Sequence, residues 1–133
     1  MIQRIRSGSP YEDTIGFSRA VRIGDRILMS GTAPIPAPGT PLAADAGGQM
    51  RRCGEIISDT LARAGADLSH VVRTRMFIVD PADAGVIGAV HAELFGDVRP
   101  AATMVVVAAL LDPAWKVEVE AEAVLDLPGD TAT

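Results

Sequence analysis

A chain of 133 residues, 48% of them hydrophobic but only five aromatic (three Phe, one Trp, one Tyr), is long enough for one core built mainly from aliphatic side chains. Its net charge of −5 argues against nucleic acid as a partner, because phosphates demand a clustered cationic surface. The single cysteine, Cys53, excludes an intrachain disulfide, and two histidines, His70 and His91, make no zinc-type ligand set. The longest apolar run, Met104 to Leu111, is too short to span a membrane, and MIQRIRSGSP lacks the apolar centre of a signal peptide. A cytoplasmic protein with neither metal nor other cofactor is expected.

In chain order, Phe17 to Ile23 alternates as a strand, with Phe17, Arg19, Val21 and Ile23 on one side. Gly24-Asp25 turns it into a second strand, Arg26 to Thr32. The segment APIPAPGTPLAADAGG, with prolines at 34, 36, 38 and 41, predicts a loop. Met50, Cys53, Ile57, Leu61 and Ala64 then recur at steps of three and four, which predicts an amphipathic helix stopped at Gly65. His70 to Val79 alternates as a third strand, and Asp80-Pro81 opens a second helix with Ile87, Val90, His91 and Leu94 on one stripe and Gly96 at its end. A strand from Thr103 to Leu110, a Leu-Asp-Pro-Ala-Trp turn and a strand from Lys116 to Leu125 complete the pattern.

The predicted order β-β-α-β-α-β-β is an α+β fold: one mixed sheet with both helices on one face, since right-handed crossovers place them together. Residues 1–126 form a single domain and residues 127–133 a C-terminal tail. On the last strand Val117, Val119, Ala121 and Ala123 suit the helix-covered face, so Glu118, Glu120 and Glu122 point to the uncovered one. On the third strand Arg73, Arg75 and Phe77 share the face of the glutamates, opposite Val72, Thr74, Met76 and Ile78. Cross-strand Arg–Glu pairing accounts for Glu120 and Glu122. The apolar excess and the uncovered sheet face predict a subunit interface.

Several short motifs, weak singly, are specific in their order: Ser30-Gly31, the helix start around Gln49, VVRTRMFIVD from Val71 to Asp80, Phe95 followed by Arg99-Pro100-Ala101, and KVEVEA from Lys116 to Ala121. Together they resemble the RidA/YjgF family of reactive-intermediate deaminases, also described as endoribonuclease L-PSP or translation inhibitors, over residues 15–124. The resemblance implies the chorismate mutase-like topology and a homotrimer whose sheet faces form a central barrel, with three small-molecule clefts between subunits. In the deaminating members an Arg after Pro-Ala binds the carboxylate of a 2-imino acid and the first Glu of the last strand places the attacking water; here Glu118 matches that Glu.

The Arg has no counterpart, because this chain reads Pro100-Ala101-Ala102. A methyl group cannot hold a carboxylate, which argues against imino-acid deamination by the family's usual arrangement. Phe17 stands where deaminases tend to have Tyr, Gly88 where they tend to have Asn, and Met104 follows Ala102 on the same strand face, all making the cleft more apolar. The resemblance thus implies either hydrolysis of a labile imine, enamine or carbonyl compound or, alternatively, a non-catalytic protein that binds a small metabolite; an endoribonuclease or translation inhibitor is the third choice. Glu118 is the candidate catalytic base. Phe17, Ser30, Gly31, Ala102 and Met104 are the candidate binding residues, with Arg99 or Arg75 as candidates for a displaced cation. Cys53 is read as an inert core thiol, His91 as a half-buried packing residue, and Ser30 lacks partners for a nucleophile.

Overall fold

The computed structural model describes residues 1–125; the expected tail from Leu127 to Thr133 lies outside the described residues. Among the described residues six strands, β1 (Ile2–Ile5), β2 (Ala20–Ile23), β3 (Arg26–Thr32), β4 (Val71–Ile78), β5 (Ala101–Val106) and β6 (Val117–Val124), form one sheet in the order β1-β2-β3-β6-β4-β5. Only the β4–β5 pair is parallel, so the sheet is mixed. Two helices, α1 (Ala46–Arg63) and α2 (Ala84–Phe95), cover one face.

The expected helical stripe is the core of α1: Met50, Cys53, Ile57, Leu61 and Ala64 are all buried. They meet the inward set of the central strands, Ile27, Met29, Val71, Thr74, Met76, Ile78, Val117, Val119, Ala121 and Ala123. Ile87, Val90 and Phe95 of α2 complete the same core, whereas His91 is half-exposed.

Several boundaries differ from the sequence expectation. β1 is an additional strand: its four residues bury only Ile5, too few to show a pattern, and antiparallel pairing with β2 supplies its order. The strand expected from Phe17 begins at Ala20, because Glu12–Gly16 forms a π-helical turn that delivers Phe17 in extended conformation. α1 begins at Ala46, inside the segment read as loop, because the Asp45 side chain accepts from the Gly48 amide at 3.0 Å and caps it despite two glycines in the first turn. β5 ends at Val106, short of Leu110, because its partner β4 stops at Ile78. Val72 is exposed and Val71 is buried in its place, since a register shift between Val71 and Arg73 offsets the alternation there.

One buried polar side chain locks the start of β6. Gln49 Nε2 donates to the carbonyls of Ala43 and Ala114, each at 3.0 Å, and its Oε1 accepts from the Lys116 amide at 2.7 Å. The amide thereby joins α1 to the strand that carries Glu118 two residues later.

Candidate functional site

β3 and β6 pair Met29 with Ala121 and Thr32 with Val119, so β3 holds one residue more than its neighbour across this interval. Ser30 and Gly31 form the resulting bulge on the uncovered side, while Met29 and Thr32 remain buried on the helix side. The bulge is pinned by the Ser30 hydroxyl donating to the Ser18 carbonyl at 2.7 Å and the Ser30 amide donating to the Arg19 carbonyl at 3.1 Å. Glu118 lies directly against it: a Cβ added to Gly31 would stand 2.5 Å from Glu118 Oε2 and 3.2 Å from Cδ. Only glycine leaves the carboxylate where it is.

The three glutamates of β6 divide by their partners. Glu122 lies 3.5 Å from Arg75 Nη1 and 3.9 Å from Arg26 Nη2, and Glu120 lies 3.9 Å from Arg75 Nη1. Glu118, which pairs across β4 with Phe77, makes no ion pair among the described residues. Burial pushes its carboxyl above the usual range; Arg19 opposes that shift and Glu120 adds to it. A half-buried carboxylate without a salt-bridge partner and with raised basicity is the chemistry of a general base.

Arg19 is the functional candidate that sequence reasoning passed over. Its amide donates to the Ile5 carbonyl at 2.8 Å, and its Nη2 donates to the Gly31 carbonyl. Its Cζ stands 5.9 Å from the centroid of the Phe17 ring. Burial depresses the Arg19 pKa, with Glu12 and Glu118 acting in the other direction. Arg19 had been visible as a member of the alternating set with Phe17, but an Arg in a strand has many surface explanations. What singles it out is its position beside the bulge, which depends on a strand pairing that the sequence does not display.

The segment leading to Phe17 is held by Glu12, a fully buried carboxylate. It accepts from the Ser7 amide at 3.1 Å, from the Ser7 hydroxyl and from Arg6 Nε at 3.3 Å. Burial alone would raise its pKa, but the Ser7 and Arg6 bonds more than offset this and leave it lowered. Beside it an open depression of about 570 Å³ is lined by Arg4, Arg6, Phe17 and Ser30, among others. Glu118 does not line it, so the depression adjoins the bulge without containing the base.

The remaining expected residues lie elsewhere in the chain. Ala102 and Met104 pair with Thr74 and Met76, whose side chains face the helices, so both lie on the opposite sheet face from Glu118 and two strands away. His91 is on that side, its Nε2 2.8 Å from Thr74 Oγ1, and burial holds its pKa down. Arg99 is exposed in the connection to β5 with φ of 54°. Arg75 shares the glutamate face but is engaged with Glu120 and Glu122. A single chain therefore joins the Ser30-Gly31 bulge to Glu118, places Phe17 in the adjoining depression, and leaves Ala102, Met104 and Arg99 apart.

Cys53 is fully buried, its Sγ 3.3 Å from the Thr32 carbonyl, and burial pushes its pKa up to about 12, with the Glu118 charge adding to the rise. The native thiol is expected to react with iodoacetamide at pH 8 at least ~10³-fold more slowly than in the unfolded chain, because almost none of it is thiolate. Rapid alkylation of the folded protein would contradict this placement.

Comparison with known proteins agrees with this architecture. The Endoribonuclease L-PSP family model matches residues 9–125. An uncharacterised protein of Streptomyces coelicolor is 34% identical over 122 residues, covering 92% of this chain and 91% of that protein. A RutC family protein of Sinorhizobium fredii is 36% identical over 106 residues, covering 79% of this chain and 83% of its own length. Among solved structures, a member of the YjgF/YER057c/UK114 family from Mycobacterium tuberculosis has a TM-score of 0.87 at 38% identity, over 94% of this chain and 100% of that one.

Proposed function

The chain belongs to the endoribonuclease L-PSP family, also called the YjgF/RidA family, and on that footing we propose that it hydrolyses a small, labile imine or enamine at Glu118. The observation that carries the reading is the isolation of Glu118: alone of the three β6 glutamates it has no ion-pair partner among the described residues, and it sits half-buried against a glycine bulge whose missing Cβ leaves room for its carboxylate. In the reaction Glu118 takes a proton from water as the water oxygen bonds to the imine carbon and the C=N pair moves onto nitrogen, and Glu118 hands that proton to the nitrogen to give the neutral carbinolamine. The carbinolamine then collapses: Glu118 takes the hydroxyl proton as the carbonyl forms and the C–N bond breaks, and it delivers that proton to the departing nitrogen, which leaves as ammonia with the carboxylate restored.

The site is completed by further copies of the chain. β5 is an edge strand with no charged residue, and Val105 and Val106 are 41% and 52% exposed, a combination that proteins cover or charge. Packing of a second copy against the glutamate face brings Ala102 and Met104 of one chain towards Glu118 of another, which a monomer cannot do. Light scattering after size exclusion is expected to report a trimer at micromolar concentration; a stable monomer would remove the shared cleft. The assay for function generates 2-iminopropionate from alanine with an oxidase and follows keto-acid release. Acceleration over the uncatalysed rate supports the reading, and saturable binding without turnover would make the protein a metabolite binder.

Nucleic acid has no place in this reading. With a net charge of −5, RNA binding at physiological salt is expected to be undetectable by fluorescence anisotropy, and tight binding with a steep salt dependence would overturn that.

A further inference from the structure

Two residues of α1, one turn apart, stand where β3 and β6 part company. Pairing between these strands runs from Arg26–Val124 as far as Thr32–Val119, whereas β6 stays paired with β4 to Ile78–Val117. Glu118 therefore sits on a stretch of β6 that has β4 on one side and no paired β3 residue on the other. Past Thr32 the chain turns away, the Ile35 amide donating to the Ala33 carbonyl at 2.8 Å. Side chains of α1 replace the missing strand bonds. The Cys53 thiol donates to the Thr32 carbonyl at 3.3 Å, and Gln49 Oε1 accepts from the Lys116 amide at 2.7 Å. Gln49 is only 1% exposed and must meet one amide and the carbonyls of Ala43 and Ala114 together. A neutral carboxamide supplies that set, where a carboxylate lacks the donors and an ammonium the acceptor. One side chain thus ties the loop before α1 and the turn before β6 to the strand end that carries Glu118.

We propose that Gln49 is a positioning residue for Glu118: by holding the start of β6 where β3 has left it, the amide keeps the carboxylate half-buried against the Gly31 bulge. The proposal rests on the reading of Glu118 as the general base. Gln49 acts from the helix-covered face of the sheet, and Glu118 works on the other, so the amide touches no substrate. Loss of the three bonds frees the strand end to move, and a misplacement of about 1 Å at a catalytic group costs on the order of 10²-fold in rate.

The test compares Gln49→Met, which keeps the length of the side chain and loses all three bonds, with Ile57→Val, which trims the core of the same helix and removes no hydrogen bond. Imine hydrolysis by Gln49→Met is expected to lose about 10- to 100-fold in kcat with KM little changed, and Ile57→Val to keep the native kcat. Burial raises the Glu118 pKa in the native protein, and its carboxyl can be followed through its ¹³C resonance. In Gln49→Met that titration should move down, towards the ordinary carboxylate range, as water reaches the loosened strand, and the acid limb of kcat/KM should move to lower pH with it. Ile57→Val should leave both in place. One readout needs no variant: the Lys116 amide of the native protein should exchange with solvent at least ~10²-fold more slowly than in the unfolded chain. An unprotected Lys116 amide, a Glu118 titration that Gln49→Met leaves in place, or an equal loss of kcat in Ile57→Val would overturn the positioning role and leave the Glu118 reading standing. Failure of that reading looks different: the native protein hydrolyses no imine while the Glu118 titration still moves in Gln49→Met, which would leave Gln49 as a clip on the strand alone and overturn its part in catalysis.

Discussion

Glu118→Gln is expected to lower kcat/KM for imine hydrolysis by about 10²- to 10⁴-fold, the usual contribution of a positioned acid–base group, with the assembly unchanged. The amide keeps the shape of the side chain beside Gly31 but cannot take a proton from water. Stability should move in the opposite direction to activity. Burial raises the folded-state pKa of Glu118, so its contribution to stability is fully present below the unfolded pKa and is lost as pH rises through the folded value. At neutral pH the charged form is therefore a cost to the fold that glutamine removes, and thermal denaturation should show a Tm equal to or above that of the native protein. A variant that keeps native kcat/KM would leave Glu118 as one more acid on the sheet face.

Glu12→Ala is expected to destabilise the protein by about 2 to 4 kcal/mol, because it strands the Ser7 amide and hydroxyl and removes a buried, hydrogen-bonded charge. At fixed protein concentration this corresponds to a fall in Tm of roughly 10 °C for a chain of this size. The sign of the pH dependence is opposite to that of Glu118. The folded pKa of Glu12 is lowered, so its stabilisation is present above the unfolded pKa near the ordinary carboxylate value and is lost as pH falls through the lowered one. Glu12→Gln should flatten that acid limb of stability. A Tm within a degree or two of native for Glu12→Ala would show that the turn leading to Phe17 and Arg19 is held by something else.

The fold was legible where periodicity runs long. The α1 stripe and the alternation of β6 identify their buried faces residue by residue, because each repeats for several turns or pairs against one core. β1 was not legible: four residues with a single buried side chain carry no period, and their order comes from a partner strand. The site was legible only in part. Glu118, Ser30 and Gly31 stand out by motif and converge at the bulge, whereas Ala102 and Met104, assigned to the same cleft from the family resemblance, point to the other face. Arg19 was hidden for the reverse reason. Its neighbours at the site, Gly31 and Glu118, are distant in sequence, and an unpartnered guanidinium nitrogen is a property of packing rather than of residue type.

The isolation of Glu118 acquires meaning only if a small molecule can reach it. The most direct measurement is a crystal structure of the native protein soaked with pyruvate. The account predicts the ligand between two copies, its keto carbon beside Glu118, with Ala102 of the neighbouring copy closing the cleft. Pyruvate bound only in the depression between Arg4 and Arg6, or Glu118 sealed against a neighbouring chain with no room for a ligand, would contradict it.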